Sequence, residues 1–506
     1  MTKNNKLWTI ISAIVLALQV LAEALTAVIV FRLNVLPDKY AVVLVLALGV
    51  LVLLTALLLF ARGKKPVSAA RRIVACILAL LVVCGCALIS KVAADAYETM
   101  HAVTIPGEVT SIKNMYVFVR NDDPAKNLSD TADYAYAVVQ DYDVEHTEKA
   151  IALIEQQTGK TLAITRYEKT SDLADALFAK EADALILNGA AVTLLMEEEA
   201  YADFTQKARI LHTMSLTDLE ETKPSTEPSV APEVKGDITD RPFVVYISGS
   251  DTRSSKLNVS RSDVNILVVV NPVSKQVLLL NTPRDYYVPN PAGNGKLDKL
   301  THCGLYGTDC SMEALEDLYD VEIGYFAQIN FTGFETLIDA VGGITIYSDQ
   351  AFTARETKIK KGANTLNGAQ ALDLVRERYH VSGGDNGRGK NQMKVIAALI
   401  KKLTSGTTII SNYSDILKSL EGMFKTSISM DEISKLVKMQ LNDMASWNVQ
   451  SFAVTGKGGK EKTYSSPGVY AYVMHPNEDV VEYAATLVDR VLAGEILTEE
   501  DVKLPG

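Results

Sequence analysis

Three nearly unbroken apolar runs at the amino terminus constrain this chain more than any other feature. They are Leu7 to Phe31, Tyr40 to Phe60 and Ile73 to Ser90. A helix of about 20 apolar residues spans a bilayer core, and a lipid-exposed segment must satisfy its own backbone, which a helix does. A cleaved signal peptide would show one short apolar stretch and a small-residue cleavage site, whereas here two more spans follow the first. The chain is therefore expected to be a multi-pass cell-membrane protein in contact with membrane lipid. Gln19 and Glu23 lie within the first span, where a polar group is costly and serves either function or a helix contact.

Loop charge sets the orientation, because Lys and Arg are retained on the cytoplasmic side. Lys3 and Lys6 precede the first span, and Arg62, Lys64, Lys65, Arg71 and Arg72 crowd the second connection, against only Arg32 and Lys39 in the first. The amino terminus and the second connection belong inside, and everything after Ser90 outside. The formal net charge of -11 argues against general nucleic-acid binding, so an anionic ligand needs a local cluster of positive charge. Of five cysteines, Cys76, Cys84 and Cys86 lie in the third span, while Cys303 and Cys310 lie outside, where they either bridge or remain free thiols.

Beyond the membrane the pattern turns to alternating β and α, so the fold class is α/β. MYVFVR reads as a strand, TEKAIALIEQQTG as a helix closing on glycine, TLAITRY as a strand and SDLADALFAKEADALILNG as helix then strand. This small accessory domain, residues 96–220, follows an anchor at 1–95 and shows no catalytic spacing. Thr222 to Asp237, rich in Pro, Ser and Thr, reads as an exposed linker within 221–240. The last domain, 241–506, opens with PFVVYISGSDTR and continues with the strands NILVVVNP and QVLLLNTPRD. Helices are expected at Ser311–Tyr319, Gly333–Ala340, Gly368–Arg378 and Asn391–Leu403, and strands at Val449–Val454 and Val469–Val473. In open α/β sheets ligand sites form in the loops beyond strand ends.

Eight of the 16 arginines fall between Arg241 and Asn391, mostly in such loops, a distribution that marks a site. Arginine suits bidentate capture of phosphate oxygens. Arg376 and Arg378, two residues apart, diverge on a regular helix, which places them at a fraying helix end. Arg388 follows in GGDNGRG. Asp251 and Asp263 stand at the edges of apolar strands, where carboxylates beside phosphate hold Mg²⁺, with Mn²⁺ an alternative.

In order and spacing these motifs resemble the LytR-CpsA-Psr family of Gram-positive bacteria, in its capsule-associated three-span branch. GSDTR, RSD at Arg261 to Asp263, TPRD at Thr282 to Asp285, KLTHCGLYG from Lys299, FTGFETLIDAVGGI and LNGAQALDLVRER carry the likeness, which runs by motif from Pro242 to Leu403. The resemblance implies an α/β/α catalytic domain in which Arg261, Arg284, Arg376, Arg378, Arg388 and Gln392 grip a polyprenyl pyrophosphate, with its tail in an apolar pocket. It also implies that Asp251 and Asp263 hold the metal, and that Asp251, Arg284, Arg376 and Arg378 serve catalysis. Asn391 stands where the family commonly has arginine, and Lys390 is offered as a compensating point charge. The implied activity is transfer of a glycopolymer, capsular polysaccharide favoured, from its lipid-pyrophosphate carrier to peptidoglycan. Two alternatives stay open: hydrolysis of the lipid pyrophosphate, and a non-catalytic regulator that binds the lipid-linked precursor. Asp251 is either a proton acceptor or a metal ligand only, and His302, His380 and His475 are read as structural or surface residues.

Overall fold

In the computed structural model, residues 3–61, 67–104, 114–215, 236–250, 260–405, 416 and 422–504 are described. Asp251 and all of the linker Thr222 to Asp237 except Gly236 and Asp237 lie outside them. The three apolar runs form the helices Lys3–Leu33, Asp38–Phe60 and Ala69–Val103, each long and apolar enough to cross a membrane. Their outer faces carry large apolar side chains with no protein cover, such as Leu21, Leu46 and Leu81 at 66, 63 and 65% exposure. Lipid provides that cover, since stranding such surface in water is unfavourable. The polar groups turn inward. Gln19 Nε2 donates to Glu23 Oε1 at 2.8 Å, one helical turn away, and Thr26 Oγ1 lies 2.9 Å from Ser90 Oγ across the bundle. Gln19 and Glu23 thus belong to the bundle interior.

The third helix runs on to Val103. Its last turns pack Ala93, Ala96 and Met100 against Met430 and Ile433 of the helix Met430–Asp443. Lys438 pairs with Asp38 at 2.7 Å, and Lys39 donates to the Asn442 carbonyl at 2.7 Å. These contacts seat the carboxyl-terminal domain on the end of the bundle.

The accessory domain is a five-stranded sheet in the order Ala163–Tyr167, Ala135–Val139, Ala184–Asn188, Asn114–Arg120, Ala208–Ser215. The helices Val144–Thr158 and Thr170–Phe178 belong to the two apolar cores of this domain. The strands Ala135–Val139 and Ala208–Ser215 are additions to the sequence reading. The sheet core of the large domain has six strands in the order Phe424–Thr426, Tyr325–Asn330, Phe243–Ser250, Ser262–Asn271, Gln276–Asn281, Asn448–Ala453. The inner strands are largely apolar and mostly buried, Gln276–Asn281 completely, as a sheet covered on both sides requires. One face packs on the helices Thr308–Tyr319 and Glu478–Leu492. The other packs on Gly384–Thr404 through Met393, Ile396 and Ile400. The result is the α/β/α layering expected.

The strand expected at Val469–Val473 lies within Ser466–Pro476, paired not into the main sheet but with Gly456–Thr463 in a separate ribbon. The Cys303 and Cys310 thiols are both free and buried, and Cys310 Sγ donates to Asn290 Oδ1 at 3.3 Å.

Candidate active site at the strand ends

Four of the six strands deliver residues to one edge of the sheet. Phe243–Ser250 pairs in parallel with Tyr325–Asn330 and antiparallel with Ser262–Asn271, which in turn runs antiparallel to Gln276–Asn281. The carboxyl ends of three strands and the amino end of the fourth therefore meet there. Asp263 stands at the start of one, Arg284 follows another within the loop after Asn281, and Phe331 opens the helix after Asn330.

The remaining ligands come from two helix ends. The helix Gly368–Arg376 begins with a capping box, in which Asn367 Oδ1 accepts from Gln370 N and Gln370 Oε1 accepts from Asn367 N. It ends at Arg376, so Arg378 leaves the helical path, as the two-residue spacing predicted. The helix Gly384–Thr404 carries Arg388 and Gln392 on its first turns. A Cβ on Gly389 would fall 2.3 Å from Asn281 Nδ2, so only glycine lets this helix press its start against the strand end.

These segments enclose a cavity of about 360 Å³ lined by Arg261, Asp263, Arg284, Arg376, Arg378, Arg388 and Gln392. Every described residue assigned to the site from sequence is therefore in one lining. The same cavity contains residues the sequence reading missed: Arg355, Glu377, Tyr379 and the apolar wall Val264, Phe331 and Val375. Lys390, in contrast, is exposed and outside the lining, so the additional cation is Arg355 and not Lys390. Asn391 is buried, and its Nδ2 has no hydrogen-bond partner among the described residues. Arg355 sits in the turn between the short strands Phe352–Ala354 and Thr357–Ile359 at φ 53. No motif in the sequence marks this arginine, which the structure holds at a backbone position that favours glycine.

Four of the six arginines are held by contacts at the cavity itself. Arg284 Nη1 meets Asp263 Oδ1 at 2.5 Å. The Arg376 guanidinium lies 4.2 Å from the centre of the Phe331 ring, a cation–π contact. Arg378 donates to the Tyr379 hydroxyl at 2.8 Å at the exposed mouth, and Arg388 pairs with Asp385 at 2.7 Å. Gln392 Nε2 donates to the Val375 carbonyl at 3.2 Å.

Glu377, buried between the two arginines, is not aimed at a ligand. Its carboxylate accepts from the backbone N–H groups of Arg355, Tyr379 and His380 at 2.9, 2.7 and 3.0 Å. Burial pushes this carboxyl upward, yet the three N–H donors prevail and hold it at about 2. One side chain thus ties the Arg355 turn to the Arg376–Arg378 helix end. In charge the lining sets six arginines against the carboxylates of Asp263 and Glu377, an excess suited to a multiply charged anion.

Asp263 retains metal-binding capacity. The bonds from Arg284 and from Thr301 Oγ1 at 3.4 Å both fall on Oδ1, leaving Oδ2 without a partner among the described residues. A hard carboxylate oxygen beside clustered arginines is of a kind that could hold Mg²⁺, which completes its shell with water and phosphate where phosphate is bound.

Next to the cavity, the fully buried Asp298 binds His302 Nδ1 at 2.7 Å, Asn290 Nδ2 at 3.0 Å and both the N–H and the hydroxyl of Ser465. Burial raises the Asp298 carboxyl, but His302, Ser465 and Asn290 together bring it below its usual range. Serine, histidine and aspartate meet here, yet the serine hydroxyl donates to the aspartate and not to the histidine, which is no arrangement for an activated nucleophile. His302 is buried, His380 is exposed beside Glu377, and His475 is half-buried beside Glu461.

The family model described as LytR_cpsA_psr family matches residues 205–484. The polyisoprenyl-teichoic acid–peptidoglycan teichoic acid transferase TagU of Enterococcus faecalis is 36% identical over 197 residues, which are 38% of this chain and 64% of that protein. TagU of Bacillus mycoides is 32% identical over 232 residues, 46% of this chain and 73% of that protein. Among solved structures, the Lin1025 protein from Listeria innocua is 30% identical, covers 50% of this chain and 99% of its own, and has a TM-score of 0.41. The chain thus spans a little under two thirds of the Enterococcus protein's length.

Proposed function

Because the chain belongs to the LytR_cpsA_psr family, we propose that it transfers a glycopolymer phosphate from a polyprenyl-pyrophosphate carrier to peptidoglycan, on the outer side of the membrane. The observation that carries this reading is the convergence of six arginines and Asp263, drawn from separate segments, on one cavity at the strand ends. The relatives named above are described as transferases of polyisoprenyl-linked teichoic acid to peptidoglycan.

A pyrophosphate diester has two anionic phosphates that bidentate arginines can grip while the anhydride between them is broken. In this reading Arg284, Arg376 and Arg388 hold the phosphates from three sides, Arg261, Arg355 and Arg378 close the rim, and Gln392 adds a neutral donor. Fixed cations in a walled cavity stabilise the charge that develops on the bridging oxygen as lipid monophosphate departs. Phe331 and Val375 give the first isoprene units an apolar wall. Asp263, with Asp251, would hold Mg²⁺, which when bound neutralises phosphate charge. The basic loop at Arg62 to Arg72 supports an outside location, where lipid-linked polymer and cell wall both lie. As polymer we take capsular polysaccharide, on the three spans and accessory domain, while the relatives' names carry teichoic acid.

The test is turnover of a polyprenyl-pyrophosphate saccharide by the full chain in detergent with Mg²⁺, with and without peptidoglycan. Saccharide phosphate appearing on peptidoglycan, with polyprenyl monophosphate released, is expected. Release of free saccharide phosphate at the same rate in both samples would replace transfer with hydrolysis. Tight binding without turnover would leave a regulator. Capsular and teichoic donors in competition identify the polymer.

A further inference from the structure

A second cavity, of about 260 Å³, opens beside the phosphate site between the accessory domain and the catalytic domain. Arg261 lines both cavities. On the accessory side stand Lys169 and Ser171, at the start of the helix Thr170–Phe178, and Glu197, at the end of the helix Gly189–Glu197. On the catalytic side stand Lys299, His302 and Ser466. Glu197 Oε1 meets Arg261 Nε at 2.9 Å, so an accessory-domain carboxylate touches an arginine of the phosphate pocket.

The two domains are fastened together around this cleft. Tyr142 of the accessory domain shares a 2.7 Å hydrogen bond with Tyr306, and its ring lies 5.0 Å from that of Tyr464. Within the strand Ser466–Pro476, Gly468, at φ 75, passes so close to the accessory domain that a Cβ there would fall 2.6 Å from the Lys169 side chain. The cleft is a built feature of the joint.

Its chemistry differs from that of the phosphate pocket. Hydroxyls, ammonium groups and the carboxylates of Glu197 and Glu198 alternate with the apolar Leu194 and Val469. Arg261 is paired with Glu197 and Lys299 with Asp285, so little free positive charge is left for a second polyanion, and the alternation disfavours an isoprenoid tail. Such a lining suits a neutral glycan, with its ring of hydroxyls and its apolar C–H faces.

Resting on the transfer reading above, we propose that this cleft is the acceptor subsite, that it binds the glycan carrying the attacking hydroxyl, and that Glu197 accepts that hydroxyl's proton. The hydroxyl oxygen forms the new bond to phosphorus, and the anhydride P–O bond breaks. Polyprenyl monophosphate leaves with the bonding electrons, and the proton passes to the Glu197 carboxylate. Desolvation raises the Glu197 carboxyl against the opposing pull of Arg261, and its side chain, about one-third exposed, stays open to a hydroxyl, as a general base requires. This gives the accessory domain a share in the site.

The experiment uses the full chain in detergent, a polyprenyl-pyrophosphate disaccharide donor and a soluble peptidoglycan oligosaccharide. Ser171→Trp and Leu194→Trp each fill the cleft from the accessory side. Both are expected to raise the acceptor KM about tenfold or more while the donor Kd, measured by titration, stays put. Glu197→Gln is expected to lower kcat for transfer about a hundredfold without weakening donor binding. An unchanged acceptor KM in both tryptophan variants, or full kcat in Glu197→Gln, overturns the assignment. A wild-type chain that binds donor but never transfers it to the oligosaccharide sinks the transfer reading and the acceptor cleft with it. Wild-type transfer that the three variants leave untouched sinks the cleft alone.

Discussion

Replacing Glu377 by Gln tests how the phosphate pocket is assembled. The carboxylate receives three backbone N–H bonds, and a hydrogen bond to a charged group contributes roughly 1.5–3 kcal/mol. In Glu377→Gln, the amide oxygen can still accept from Tyr379 and His380, now without charge, while the amide nitrogen faces the Arg355 N–H and leaves that donor unpaired. A buried unpaired donor costs about 1–3 kcal/mol, so the whole change is expected to cost about 2–3 kcal/mol. For a domain of this size that lowers Tm by roughly 5–10 °C. The pH dependence follows from the same bonds. A carboxyl held at about 2 in the fold against 4.5 ordinarily contributes its full stabilisation above about 4.5, and loses it as pH falls toward 2. Glutamine mimics the protonated acid, so the wild-type and variant melting curves should stand apart at neutral pH and draw together as pH falls from about 4.5 toward 2. Thermal unfolding of the two full-length chains in one detergent, at several pH values, reads this directly. Equal Tm values at neutral pH, or a gap that persists undiminished at about pH 3, would refute the pinning role.

Arg284→Lys and Arg376→Lys restore charge without the planar fork, and each should slow donor turnover by roughly 30- to 1000-fold, or about 2–4 kcal/mol. Near wild-type rates in both, normalised to folded protein, would remove the phosphate assignment. Asp263→Asn should abolish the response of activity to added Mg²⁺ while keeping the shape of the strand end; wild-type turnover undiminished by a chelator would dismiss the metal. A reporter fused after Asp237 should be active only in its extracytoplasmic form, and activity confined to the cytoplasm would invert the topology.

What the sequence revealed of this molecule tracks how local each cause is. Apolar runs announce helices because membrane insertion is decided segment by segment. The third helix nevertheless extends past Ser90 to Val103, since hydropathy registers the part that meets lipid and not the amphipathic turns with Lys91, Asp95 and Glu98. The inner strands were legible as apolar blocks, and the arginine pair at 376 and 378 was placed correctly at a helix end, because residues two apart cannot share a helix face. Ala135–Val139 was missed because its five residues lie among tyrosines and aspartates without clean alternation, and its strand state depends on parallel partners at Ala163–Tyr167 and Ala184–Asn188. The ribbon strand Gly456–Thr463, rich in glycine and lysine, is likewise a strand only through its partner.

The candidate site divides in the same way. Arg261, Arg284, Arg376, Arg378, Arg388 and Gln392 sit in motifs whose order can be read along the chain, so their meeting in one cavity was foreseeable. Arg355 has no motif. It enters because Glu377 draws its backbone N–H toward the helix end, a contact that exists only after the chain has folded back over the strand edge. Glu197 was further still from view. It belongs to a domain with no catalytic spacing of its own, and it gains chemical meaning only when the Tyr142, Tyr306 and Tyr464 joint brings it against Arg261. A residue whose environment is supplied entirely by another domain leaves no local pattern, which is why accessory domains read as bland in sequence even where they complete a site.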